Sequence, residues 1–233
     1  MRLPSPDTAC TPAELRGFFY DLYEDAPKPL RLLSAARPYV CPYDRIVPFV
    51  PQGARVLDVG CGTGALLALL VAIERIAEGV GCDVSAPALS FARGAAGRLA
   101  GGGRLRFDHI ETIDGVVDEP FDVVVMVDVL HHVPEAERQK VVAAAARRTA
   151  PGGVFIYKDM TDEPGGRRLA HTIDDLIFSH ELVRQVSPEA VERWAAGEGL
   201  ELVASENLPR LVYGHVLRVF RKQAGDAHPA PDA

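Results

Sequence analysis

No run of about 18 uncharged apolar residues occurs in the 233-residue chain, so no segment reads as a membrane-spanning helix. Met1 to Cys10 holds one Arg and no apolar core, so it lacks the features of a secretory signal, and a cytoplasmic setting is expected. Cysteine is scarce: Cys10, Cys41, Cys61 and Cys82 form no C-x-x-C pair, and reduced structural thiols are the expectation. Basic charge is also in deficit, with 25 Lys and Arg against 32 Asp and Glu and a formal net charge of −7. Phosphate contacts need a basic surface, and Arg147-Arg148 and Arg167-Arg168 are too few to make one, which argues against nucleic acid as substrate or partner. There is no internal repeat. What remains is an ordinary soluble composition, 48% hydrophobic and 24% charged, at a length suited to one substantial core.

The most informative stretch present is Arg55 to Gly64, RVLDVGCGTG. Val56, Leu57 and Val59 form an apolar, β-branched run suited to a strand buried on both faces, and Gly60, Gly62 and Gly64 end it. Ala65 to Ile76 follows without Gly or Pro and is expected to be a helix whose first N–H groups face a ligand above the sheet. The spacing is G-x-G-x-G rather than the G-x-G-x-x-G of dinucleotide enzymes, and Asp58 lies just before it. That acid would repel a pyrophosphate but suits an ammonium. Val80 to Val84 is a second strand candidate ending near Asp83, about 20 residues past the glycines, where an acid can accept both ribose hydroxyls. Asp83 could instead cap the helix that starts near Ser85; its interval from the glycine turn favours the ribose.

Two further landmarks follow in order. Val123 to Val127 reads as a central parallel strand that runs into Asp128, with His131 and His132 just beyond, and Thr149 to Val154 (TAPGGV) precedes a strand FIYKDM. Taken together, from Arg55 to Asp159, these motifs resemble the class I S-adenosylmethionine-dependent methyltransferases, whose [DE]-x-G-x-G-x-G motif is matched by Asp58, Gly60, Gly62 and Gly64. The resemblance implies an α/β, Rossmann-like, doubly wound seven-stranded sheet in the order 3-2-1-4-5-7-6 with the last strand antiparallel. It implies S-adenosylmethionine as cofactor, with Asp58 near its methionine end and Cys61 valued for small size. Val84 would flank the adenine, and Asp128 would lie beside the cofactor. The family places an acid near the adenine amine at the end of strand three; here the count falls on Ile110, between Asp108 and Glu111, so Ile110 is expected to pack on the ring.

Residues 1–222 are accordingly read as one methyltransferase domain and 223–233 as a disordered tail without a bulky apolar residue. Thr11 to Glu24 carries Leu15, Phe18, Phe19 and Leu22 at helical spacing behind Thr11 and Pro12. Pro27 to Pro51 is proline-punctuated, with one short helix from Tyr43 to Val50. Arg104 to Phe107 is read as strand three, Glu135 to Arg148 and Pro188 to Ala196 as helices, and Leu200 to Glu206 with Val212 to Phe220 as a closing antiparallel pair. By resemblance, residues 11–50 form a helical cap over the crevice, with Phe19, Tyr20, Tyr23, Tyr39 and Tyr43 as candidate walls, and 161–187 forms a substrate cover holding His171 and His180.

Methyl transfer is an in-line displacement that mainly demands alignment and exclusion of water. If the acceptor is a hydroxyl or a protonated amine, a base helps; His131 is the candidate, while His132 is read as holding the loop. Lys158 and Asp159 end strand five and are expected to share the crevice, either binding a polar acceptor or pairing with each other. Asp128, His131 and His132 have a D-x-x-H-H spacing that resembles the metal-binding E-x-x-E-H of some quinone-pathway O-methyltransferases, but His131 replaces the second acid and no metal is expected. The expected function is therefore methylation of a small-molecule acceptor, secondary and lipid metabolism included. A protein or RNA methyltransferase, or a cofactor-binding protein of this fold with altered chemistry, is the alternative. Acceptor atom and oligomeric state are not legible.

Overall fold

The first helix forms where the sequence supplies its terminal devices. Thr11 is the N-cap and Pro12 opens the helix, and Glu14 completes a capping box: its amide donates to Thr11 Oγ1 at 3.4 Å while the Thr11 amide donates to Glu14 Oε2 at 3.1 Å. In this computed structural model, which describes residues 11–161, 186–210 and 213–224, α1 spans Pro12–Leu22 and buries Leu15, Phe18, Phe19 and Leu22. Each such side chain contributes roughly 1.5–3 kcal/mol when fully buried, enough together to fix α1 on the core.

The proline-punctuated stretch contains a helix that its prolines concealed. α2 runs Lys28–Val40, with Pro29 in its first turn and Pro38 inside it, and α3 is a single turn, Tyr43–Ile46, continued by a 3₁₀ turn over Val47–Phe49. Pro29 costs nothing where the amide has no helical partner, whereas Pro38, inside the helix, forgoes the bond to the carbonyl of residue 34. The expected Tyr43 to Val50 helix is thus α3 plus the 3₁₀ turn.

Seven strands build one sheet in the order β3-β2-β1-β4-β5-β7-β6, as expected. They are β1 (Ala54–Val59), β2 (Ile76–Asp83), β3 (Leu105–His109), β4 (Phe121–Val127), β5 (Thr149–Thr161), β6 (Leu200–Arg210) and β7 (Tyr213–Lys222). The first five pair in parallel, and β7 alone runs antiparallel to both its neighbours. The helices between are α4 (Ala65–Ala72), α5 (Ala86–Gly97), α6 (Glu135–Arg148) and α7 (Pro188–Gly197). α4 is shorter than the Ala65 to Ile76 reading because Ile76 already belongs to β2. The sequence Thr149 to Val154, expected as a turn before strand five, lies inside β5 as an irregularity: Phe121 pairs with Thr149 but Val123 pairs with Val154.

Strand alternation sorts the core into two layers. Val154 and Ile156 pack with α1, α4 and α5, whereas Phe155 and Tyr157 pack with α6 and α7. That alternation continues to the carboxyl end of β5 and decides where Lys158 and Asp159 go. Most of the expected tail and of the expected cover, with His171 and His180, lies outside the described residues.

Candidate active site

β1 delivers a carboxylate into a nearly closed place. Its residues are buried by neighbours on both sides of the sheet, Asp58 included at 3% exposure. Burial raises the Asp58 pKa to about 7, with the nearby Asp83 charge adding to the rise and Arg37 opposing it. A buried acid of this kind is satisfied by a cation, which fits the ammonium of an amino-acid ligand.

Past Asp58 the chain turns through left-handed glycines. The Gly60 and Cys61 amides donate to the Cys82 carbonyl at 2.8 and 3.0 Å, which ties the turn to β2. At Gly60 (φ 72°) a Cβ would lie 2.5 Å from Val129 Cγ2, so the turn abuts the segment after β4. Gly62 (φ 54°) differs: a Cβ there would meet nothing within 4 Å, so this backbone faces open space where a ligand can approach. Gly64 is the N-cap of α4. Burial pushes the Cys61 thiol up, keeping it protonated and unreactive.

Asp83 performs the capping role and keeps capacity for a ligand. Its Oδ2 accepts the Gly62 amide at 2.7 Å and its Oδ1 accepts the Ser85 amide at 2.8 Å, while Ser85 Oγ accepts the Ala88 amide at 3.3 Å and caps α5. Each carboxylate oxygen retains a second lone pair, and the residue is only half-buried. Val84 beside it is 66% exposed. Ile110 is held against the end of β2 by its amide, which donates to the Asp83 carbonyl at 3.1 Å, but its side chain lies within the apolar layer of Val80 and Val116. Val84 is the more exposed apolar side chain at this edge. Asp108 pairs with Arg106 at 3.1 Å.

At the ends of β4 and β5, Lys158 and Asp159 take other partners than each other, since successive strand residues point to opposite faces. On the α1 and α4 side, Lys158 Nζ donates to both Asp128 oxygens at 2.6 and 2.8 Å. Although burial alone would push it up, the Lys158 and Arg37 charges hold the Asp128 carboxyl down to about 2. On the α6 side, Asp159 Oδ1 bonds His131 Nδ1 and also accepts the Met160 amide at 2.8 Å, and Tyr157 Oη donates to Asp159 Oδ2 at 3.3 Å. His131 is buried; burial would lower its pKa, but the bond to Asp159 and that carboxylate's charge raise it above the ordinary imidazole value. His132 is exposed, its ring 4.0 Å from that of His131. Asp128 is paired with Lys158 and His131 with Asp159, and among the described residues no cluster of His, Cys, Asp and Glu converges to hold a metal ion.

The cap contributes differently from the expectation. Phe19, Tyr23 and Tyr43 are buried core, whereas Tyr20 and Tyr39 stay partly exposed, Tyr20 beneath the Arg31 guanidinium at 3.6 Å. Tyr23 Oη donates to the Thr63 carbonyl at 2.9 Å, anchoring α1 to the glycine turn. Arg37 in α2, missed in the sequence, stands 4.0 Å from Asp128 and acts on Asp58, so it brings a half-exposed cation to the mouth of the site. Its helix buries Ser34, Ala35 and Pro38 and leaves Leu32 and Leu33 exposed, so no apolar stripe in the sequence marks it.

A family model described as a methyltransferase domain matches residues 57–155. A ubiquinone biosynthesis O-methyltransferase from Thiobacillus denitrificans is 29% identical over 180 residues, covering 74% of each chain. One from Hahella chejuensis is 30% identical over 175 residues, covering 72% of this chain and 71% of the relative. An O-methyltransferase family protein from Burkholderia thailandensis superposes with a TM-score of 0.64 at 18% identity over 94% of this chain, which spans 65% of that longer one. This last likeness shows the fold alone.

Proposed function

This chain belongs to the class I S-adenosylmethionine-dependent methyltransferases that act on small molecules, and from that premise we propose that it methylates a hydroxyl oxygen, with His131 as the general base. The observation that carries the choice of oxygen is the buried His131–Asp159 pair at the carboxyl ends of β4 and β5. An alcohol or phenol must lose its proton as it attacks, and an imidazole oriented by a carboxylate serves that need. The names of the curated relatives, O-methyltransferases of ubiquinone biosynthesis, support a phenolic acceptor of the quinone-precursor kind.

The residues present fit the cofactor. Asp58 would bind its ammonium and Arg37 its carboxylate, the open backbone at Gly62 admits its chain, and Asp83 would accept its ribose hydroxyls beside Val84. When bound, S-adenosylmethionine supplies an electrophilic methyl group on a cationic sulfur. His131 Nδ1–H points at Asp159, so Nε2 is the basic nitrogen. As an acceptor oxygen took up that methyl and the sulfonium became a neutral thioether, His131 Nε2 would receive the phenolic proton. Asp159, fixed by Tyr157 and the Met160 amide, keeps the imidazole in the needed tautomer and steadies the imidazolium. No helix among the described residues is long and apolar enough to cross a membrane, and a cytoplasmic enzyme is part of the same proposal.

The test is a mass-spectrometric screen in which the protein and methyl-labelled cofactor meet a panel of catechols, phenols, amines and thiols. Label on a phenolic oxygen supports the proposal. Transfer confined to amines or carbon would overturn the oxygen assignment.

A further inference from the structure

Lys158 is almost fully buried, and the base mechanism makes no use of it. A buried lysine is expensive unless it is paired, and pairing with a single acid does not generally repay the cost relative to apolar residues. Its location shows what it holds. Asp128, which follows β4, is in the left-handed region (φ 57°), one of two described non-glycine residues there. Two contacts from one residue keep it so: its amide donates to the Lys158 carbonyl at 2.8 Å, and its carboxylate receives the Lys158 ammonium. The left-handed turn directs the chain so that Val129 lies against Gly60, where no Cβ could fit. Lys158, Asp128, Val129 and Gly60 thus form a continuous line of contact from β5 to the glycine turn.

The position of this line within the sheet assigns it to one end of the cofactor. β4 and β2 flank β1 on opposite sides. Asp83, Val84 and Ile110 lie on the β2 side, whereas Asp128, with Arg37 at 4.0 Å, lies on the β4 side of Asp58. We infer that Lys158 is a positioning residue for the amino-acid end of S-adenosylmethionine, acting through Asp128 and the glycine turn rather than on the acceptor. The inference rests on the cofactor assignment above, and it divides two neighbouring residues by role: Lys158 serves the cofactor on one face of β5, Asp159 the base on the other.

The experiment measures binding of two acceptor-independent probes by calorimetry. S-adenosylhomocysteine carries the amino-acid end and 5′-methylthioadenosine lacks it. The proteins are wild type, Lys158→Met, Asp128→Asn and the double variant, whose loss of both charges avoids leaving one buried alone. S-adenosylhomocysteine is expected to bind about tenfold more weakly to each variant, the double no worse than the worse single, because two residues acting as one unit are not additive. Methylthioadenosine should bind all four alike. Unchanged S-adenosylhomocysteine affinity in the double variant overturns the inference, as does an equal loss for both probes, which would mark the pair as a general staple. Failure of the wild type to bind either probe would instead strike the cofactor assignment itself, and the inference with it.

Discussion

The carboxylates of Asp58 and Asp83 stand at the ends of adjacent parallel strands, and after burial itself the Asp83 charge is what further disfavours ionisation of Asp58, the more buried of the two. Asp83 is compensated by two backbone amides, whereas Asp58 meets Arg37 only at longer range. The free protein therefore holds a carboxyl near neutrality that its ligand is suited to ionise.

Cofactor binding should depend on pH in a defined direction. With the Asp58 pKa at about 7, the free protein carries a proton there below neutrality, and pairing with an ammonium expels it. Affinity for S-adenosylhomocysteine should rise by about tenfold from pH 6 to pH 8, with proton release visible when calorimetry is repeated in buffers of different ionisation heat. A flat profile with no proton release would remove the ammonium from Asp58.

The same shift predicts a gain in stability at the expense of binding. The folded pKa lies above the ordinary carboxylate value, so ionising Asp58 destabilises the fold progressively as pH rises from that range through about 7. Asp58→Asn removes this cost: its melting temperature should exceed wild type at pH 8, by an amount equivalent to about 1–3 kcal/mol, and match it near pH 4. Binding of S-adenosylhomocysteine should fall at least about tenfold at pH 8.

Two glycines of the turn should respond differently to alanine. Gly60→Ala drives a methyl into Val129 at a left-handed residue and should lower stability by about 2 kcal/mol or more. Gly62→Ala meets no neighbour, so only the backbone strain of about 1 kcal/mol applies, yet the methyl occupies the ligand's approach. Thermal melts with parallel calorimetry separate the two: the second variant should fold well and bind poorly.

Asp83→Ala should show both effects at once. The Gly62 and Ser85 amides lose their acceptor, so unfolding free energy should drop by about 1–3 kcal/mol, and loss of the ribose contacts should weaken S-adenosylhomocysteine by about 10-fold or more. Binding that survives intact at a temperature where the variant is folded would confine Asp83 to its capping role.

The base assignment predicts a rate profile. His131→Ala should slow single-turnover transfer to a phenolic acceptor by about 10²-fold or more while leaving cofactor affinity unchanged. In the wild type the rate should climb with pH through a value above the ordinary imidazole pKa, because only the neutral ring can take the proton. Asp159→Asn should move that climb to lower pH and reduce the plateau. Full rates in both variants would mean that alignment and exclusion of water suffice.

The local sequence determined whatever depends on near neighbours in the chain. The apolar run of β1, the glycine turn, Asp83 at its interval and the Thr11–Pro12 helix start are such features, and together with the family resemblance they led to the strand order observed. α2 was obscured because prolines signal a break: only the folded ends show that Pro29 sits in the first turn, and only packing carries the helix through Pro38. Of the two roles the sequence leaves open for Lys158 and Asp159, mutual pairing is not found, and for a different reason. Their charges are adjacent in the chain, but β5 alternates its faces, and the partners they find, Asp128 and His131, come from the turn after a strand that hydrogen bonding places next to β5. Which charge meets which is fixed only when β4 and β5 lie side by side, because an ion pair is settled by distance in space, and no spacing within a single strand records it.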